Sequence, residues 1–502
     1  MGVQQVLAVG VMAMGLATAA TAAGSPDDSE ASLRFEHNGP GHSGLILSRD
    51  PTGWMGTLSA NGPIERTGPF FQSLGTNGRS CATCHDLSEA MSFTPRHAQL
   101  LFATTRGSDP LFAPVDGANC DNVRQADPAG HSLVLRNGLI RVALAVPVNA
   151  QYTLSVVSDP YGCALRVDPN TQVLTASVYR RPLPGTNLSF LSAVMFDGRE
   201  TVSPLTSQAT YETNLRADLM HQALDATLGH AQATTPPTNA QLQSMVDFEL
   251  GLYSAQVEDD RAGRLDRHGA TGGPLKLSTQ DYYPGINDVL GQDPFGLAFD
   301  PAAVQMYADW EAPRARERHA AREQIAAGEA LFNSAPLTIT NVRGLNDSTA
   351  LGQPISIKGT CTTCHDTPNV GDHSLPLPLD IGTSHTSDPS FESDPTVAAA
   401  VSQLSMPKLP VFLISGCPDP FQPGQTASFY TTDPGKALIS GNCSDFNRVK
   451  GPILRGLAAR APYFHNGAAA DLSEVVNFYN QRFQMKLIPQ QKDQLVSFLN
   501  SL

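Results

Sequence analysis

The segment Cys81-Ala82-Thr83-Cys84-His85 recurs nearly unchanged as Cys361-Thr362-Thr363-Cys364-His365, and each copy is followed by Asp (Asp86, Asp366). Two thiols three positions apart with a histidine directly after them form the attachment signature of c-type haem. The thiols reach the two vinyl groups of one porphyrin, and the histidine places a neutral imidazole nitrogen on the iron as proximal ligand. Zinc binding and redox C-x-x-C chemistry are the alternatives. A zinc site would need both cysteine pairs on one metal, whereas these copies lie in opposite halves of the chain. The motifs therefore predict two covalently bound c-type haems: one on Cys81, Cys84 and His85, the other on Cys361, Cys364 and His365.

The rest of the chain can support such a protein. Its 502 residues are 41% hydrophobic and 16% charged, enough for two or three domains with substantial cores. A net charge of −14 argues against nucleic acid as a partner. Residues 1–22 carry no charge, run apolar from Val6 to Leu16 and end in Ala20-Thr21-Ala22. This predicts a secretory signal with an A-x-A cleavage site, although the usual positive start is missing. An uncleaved anchor is the alternative. No later segment approaches the ~18 apolar residues of a membrane span. Export fits covalent haem, which is normally attached outside the cytoplasmic membrane, and points to the periplasm.

Four cysteines remain once the haem motifs are set aside. In an oxidising compartment local pairing predicts disulfides Cys120–Cys163 and Cys417–Cys443, with free buried thiols as the alternative. A helix is predicted over 322–332, leading through a loop to Cys361, with a shorter version before Cys81. Between 138 and 182 the chain turns β-rich (139–144, 152–157, 173–179), with a turn at Asp159-Pro160-Tyr161-Gly162. Helices resume over 217–229 and 239–255, a glycine-rich stretch at 269–273 begins a long link, and an apolar helical face closes the chain over 490–502. The expected fold is mainly α: two cytochrome c-like haem domains, 23–265 with a β-rich insertion at about 138–182, and 315–502, joined by a linker over 266–314.

The stretch Gly451-Pro452-Ile453-Leu454-Arg455-Gly456, continuing to Ala461-Pro462-Tyr463-Phe464-His465-Asn466-Gly467, resembles the second-domain signature of bacterial dihaem cytochrome c peroxidases and MauG-type enzymes. The ending Phe498-Leu499-Asn500-Ser501-Leu502 and the first-domain Met195-Phe196-Asp197-Gly198-Arg199 are similar to that family's motifs as well. The resemblance implies that the first haem reacts with peroxide while the second relays electrons to it. It also implies hydrogen peroxide as substrate and a small cytochrome or cupredoxin as donor.

Carried over residue by residue, the resemblance sets Tyr479 where the peroxidases have a methionine on the relay iron and MauG-type enzymes have tyrosine. Met485 and Met406 are the other candidates for that ligand. The family's distal glutamate has no counterpart at its spacing after Gln222. His230 is the nearest titratable replacement, with His221 the weaker neighbour, and imidazole can do the same proton transfer near neutral pH. Phe196 replaces the tryptophan between the haems. His97 is the histidine available after the first motif to cap the resting iron, but its Thr94-Pro95 context predicts a helix start. The family's interdomain Ca²⁺ falls near Arg181 and Arg460, where an arginine side chain could stand in for the cation.

Three functions follow as expectations. The first is a periplasmic dihaem peroxidase. The second is a MauG-like oxidase acting on a protein or organic substrate, which Tyr479 favours. The third is a non-enzymatic electron-transfer cytochrome.

Overall fold

Thr94 followed by Pro95 opens the first long helix, α1 (Pro95–Thr105), because the Thr94 hydroxyl accepts from the His97 amide at 3.2 Å and proline fits the first turn. The computed structural model describes residues 44–168, 171–311, 319–371, 373–392, 394–422 and 424–502, so the signal segment expected over 1–22 lies outside the described residues. The other long helices are α2 (Tyr211–Gly229), α3 (Asn239–Leu250), α4 (Ala320–Ser334), α5 (Leu472–Arg482) and α6 (Pro489–Asn500). Thr238 and Gln241 cap α3 reciprocally, and Asp471 caps α5 through the Glu474 amide at 2.9 Å. No helix among the described residues is long and apolar enough to cross a membrane.

The fold is not mainly α. The chain is 31% helix and 16% strand, and the described residues form four sheets. Leu45–Arg49, Gly53–Ser59, Leu252–Asp259 and Gly263–Arg264 make one antiparallel sheet in that order. The predicted helix over 239–255 in fact stops at Leu250, and after Gly251 the residues Leu252–Asp259 form a strand. Asn187 fixes that strand by pairing both the amide and the carbonyl of Ser254, each at 2.9 Å. Such long-range pairing overrides a helical apolar period.

The β-rich stretch appears where expected, as Ile140–Ala145, Thr153–Ser158, Leu165–Val167 and Leu174–Arg180. It is divided between two sheets. Ile140–Ala145, Leu174–Arg180 and Leu165–Val167 pair together, whereas Thr153–Ser158 pairs with Val411–Pro418, which in turn pairs with Thr426–Thr431. Val142, Leu154 and Val178 thus share a core with Phe412, Ile414 and Phe446 from the second half of the chain. The cysteine pairs Cys120–Cys163 and Cys417–Cys443 both stand at disulfide distance beside these sheets.

Helices α4 and α6 pack closely because Gly328 has no side chain: a Cβ there would lie 2.1 Å from the Gln494 carbonyl oxygen. Phe332 of α4 meets Phe498 of α6 at 5.3 Å between ring centroids and reaches the ring of His365 at 5.9 Å. This helix pair backs the second motif.

Candidate active site

Both C-x-x-C-H segments fold identically at the local level. Each begins with a 3₁₀ turn, Cys81–Thr83 or Cys361–Thr363, capped when Thr83 or Thr363 accepts the amide of Ser80 or Thr360 at 3.0 and 2.9 Å. The histidine amide then bonds back to the first cysteine carbonyl, at 3.1 Å for His85 and 3.0 Å for His365. Nδ1 of His85 donates to the Met91 carbonyl, and Nδ1 of His365 donates to the Gly371 carbonyl, both at 3.0 Å. Each bond fixes the tautomer and leaves Nε2 for an iron. Burial holds both imidazoles below their ordinary pKa, His365 at about 4, so both are neutral ligands at physiological pH.

All four motif cysteines are free and partly exposed; Cys81 and Cys84 border the first cavity and Cys361 the second. Burial pushes the thiols up, Cys81, Cys361 and Cys364 to about 12 and Cys84 to about 11. At neutral pH they are therefore protonated thiols. Paired thiols, a neutral oriented imidazole and a large cavity at each motif fit a covalently attached haem. The space at the first motif, open solvent included, is about 1550 Å³ and that at the second about 1050 Å³.

One stripe of α2 walls the first cavity: Leu219, Gln222, Ala223, Ala226 and Thr227, ending at the helix-capping His230. His230 is therefore in the cavity with His85. Its Nδ1 lies 2.6 Å from Asp116 Oδ2. His221 does not line the cavity; its Nδ1 bonds Glu200 at 2.7 Å. His97 lies on α1, 3.9 Å from Glu89, and is not among the cavity-lining residues. The opposite wall carries Glu249, a buried carboxyl that desolvation lifts to about 8. A Cβ on Gly185 would lie 3.2 Å from Glu249 Oε1 and 3.4 Å from His85 Nδ1, which puts this carboxyl on the His85 side. Glu249 and Asp116 carried no motif; only their places in the fold identify them.

Arg181, Pro182, Leu183, Pro184 and Phe196 line both cavities and form the partition between them. Phe196 is buried and packs on His465 with ring centroids 5.9 Å apart. Beside it Arg180 bridges Asp197 and Asp433, a buried set that keeps both carboxylates below the ordinary range despite the opposing effect of burial. The Arg181 guanidinium donates to the carbonyls of Phe93 (2.6 Å), Gly138 (2.8 Å) and Arg460 (3.2 Å), filling a cage of backbone oxygens.

Tyr479 of α5 lines the second cavity, its ring centroid 6.3 Å from that of His365, and burial raises its phenol. Met485 borders the same cavity. Met406 does not; it packs in a separate cluster around Phe478.

Part of the chain is similar to known proteins. Over 78 residues, 14% of this chain and 21% of the relative, it is 40% identical to cytochrome-c peroxidase IdrP2 of Denitromonas iodatirespirans. Over 159 residues, 29% of this chain and 37% of the relative, it is 26% identical to cytochrome-c peroxidase IdrP1 of Pseudomonas sp. (strain SCT). The matches thus span about a fifth and just over a third of these relatives. No protein-family model matches the chain. The partial similarities support a cytochrome c peroxidase relationship and leave the MauG-like subtype open.

Proposed function

We propose that the chain is a periplasmic dihaem c-type peroxidase that reduces hydrogen peroxide with electrons from a small redox protein. The observation that carries this reading is the pair of C-x-x-C-H cavities separated by the shared wall of Arg181–Pro184 and Phe196, with His230 in the first. Cys81, Cys84 and His85 would hold the peroxide-reactive haem; Cys361, Cys364, His365 and Tyr479 would hold the relay haem. When bound, haem would supply the redox-active iron at which peroxide is reduced.

The protein's own part is proton handling and insulation. Nε2 of His230 accepts the proton from the inner oxygen and returns it to the outer one, which leaves as water. Two electrons from the donor and two further protons balance the reduction of one peroxide to two waters. Phe196 is not oxidised in practice, so electrons cross the partition by tunnelling past its ring. Arg181 takes the place of an interdomain cation, its charge held by carbonyls.

Tyr479 favours a second reading. A phenolate stabilises ferric over ferrous iron, which suits a MauG-like oxidase that stores oxidising equivalents for an organic or protein substrate. A steady-state assay with reduced cytochrome c and peroxide tests the first: sustained oxidation supports the peroxidase, and its absence rules that reading out. Replacing Cys361 and Cys364 with Ala should remove one of two haem equivalents on a denaturing gel and abolish turnover. Retention of both equivalents would overturn the attachment assignment.

A further inference from the structure

The residue before the first motif's cap, Arg79, joins three segments that sequence alone leaves unconnected. Its Nε donates to the Pro110 carbonyl at 2.9 Å, and Nη2 donates to the carbonyls of Leu111 (3.1 Å) and Ala113 (2.8 Å). Its Nη1 donates to Asp116 Oδ2 at 3.1 Å and to the His230 carbonyl at 3.2 Å. Asn77 adds a second bond to that same carbonyl at 2.8 Å. The backbone of His230 is thereby fixed from two sides. Its ring is fixed by Asp116, whose Oδ2 accepts Nδ1–H at 2.6 Å. Both partners are secured: the Arg79 side chain is 4% exposed and that of Asp116 12%.

We infer that Asp116, anchored by Arg79, is the positioning residue of His230 and sets it as a base toward the first cavity. The inference rests on the reading of His230 as the proton acceptor for peroxide. A carboxylate that accepts from Nδ1 selects the tautomer with its proton there, which leaves the Nε2 lone pair for the cavity side. When Nε2 takes a proton, the same carboxylate stabilises the imidazolium that results. Burial opposes a charged Asp116, but the bond and charge of His230, with Arg79 and Arg141, hold its carboxyl below the ordinary range. Asp116 is therefore ionised and able to do this. Without it the ring could rotate or adopt the other tautomer, presenting a proton rather than a lone pair.

The test uses the full-length, haem-loaded protein and stopped-flow mixing with hydrogen peroxide. Asp116→Asn is nearly isosteric and should slow the reaction roughly 10–10³-fold, with haem content and cyanide binding retained. Asp116→Glu keeps the charge beside Arg79 but moves the carboxylate, and should also be slow; it carries the test if the Asn variant does not fold. The double variant with His230→Ala should be no slower than His230→Ala alone, because two groups that act as one unit are not additive. A purely structural role for Asp116 would instead add a further loss. If His230→Ala reacts at the wild-type rate, the parent reading fails. If His230→Ala is slow while both Asp116 variants react at the wild-type rate, the positioning role alone is overturned.

Discussion

Tyr479 and Met485 both border the second cavity, so a single substitution decides which of them meets the relay iron. A buried phenol with a raised pKa becomes a phenolate only beside a strong cation, and ferric haem is one. Tyr479→Met should raise the potential of one haem by on the order of 100 mV, within the ~0.8 V range that axial ligands control. It should also introduce a thioether-ligated spectrum. An unchanged spectrum in a redox titration would make Met485 the ligand. At the partition, Arg181 already satisfies the backbone carbonyls around it. Overnight treatment with a chelator should therefore leave peroxidase turnover unchanged, and a loss restored by Ca²⁺ would contradict this. The cysteines and their histidines follow a spacing rule and could be singled out in the sequence; the structure sets them beside cavities and places His230 among the lining of the first. Asp116 and Glu249 could not be singled out, because they reach the first cavity through tertiary packing.

At the level of elements, helices with caps and apolar stripes were readable, as was the β-rich stretch at 139–179. The strands Gly53–Ser59 and Leu252–Asp259 were missed because each pairs with the other some two hundred residues away, and Leu45–Arg49, which pairs locally with Gly53–Ser59, was missed with them. The hairpin of Val411–Pro418 and Thr426–Thr431 was missed too, because the Pro and Gly between its strands read as loop. Near that hairpin, loop 380–392 is stapled by His385, whose Nε2 lies 3.3 Å from Asp380 and whose Nδ1 pairs with Glu392. Burial works against the imidazolium, yet the two carboxylates outweigh it and lift His385 to about 10. A pKa raised on folding stabilises fully below the unfolded value of ~6.5 and is lost as pH rises toward the folded value. Wild type should therefore melt several degrees above His385→Gln at pH 6, and the gap should narrow steadily toward pH 10. A gap constant across that range, measured by thermal melts, would remove the charged staple.

Across the whole molecule, two similar C-x-x-C-H motifs sit in different surroundings. The first cavity is walled by Gln222 and His230; the second is closed by Tyr479 and apolar side chains, among them Phe464 and Leu472. Under the proposed function this asymmetry matches peroxide chemistry at the first cavity and electron relay at the second, with Phe196 between them. The most direct test is the EPR spectrum of the fully ferric protein before and after one equivalent of hydrogen peroxide. The account predicts a high-spin signal from the first haem that disappears with peroxide, beside a low-spin signal from the second. Two low-spin signals that peroxide leaves unchanged would contradict it and make the protein an electron-transfer cytochrome.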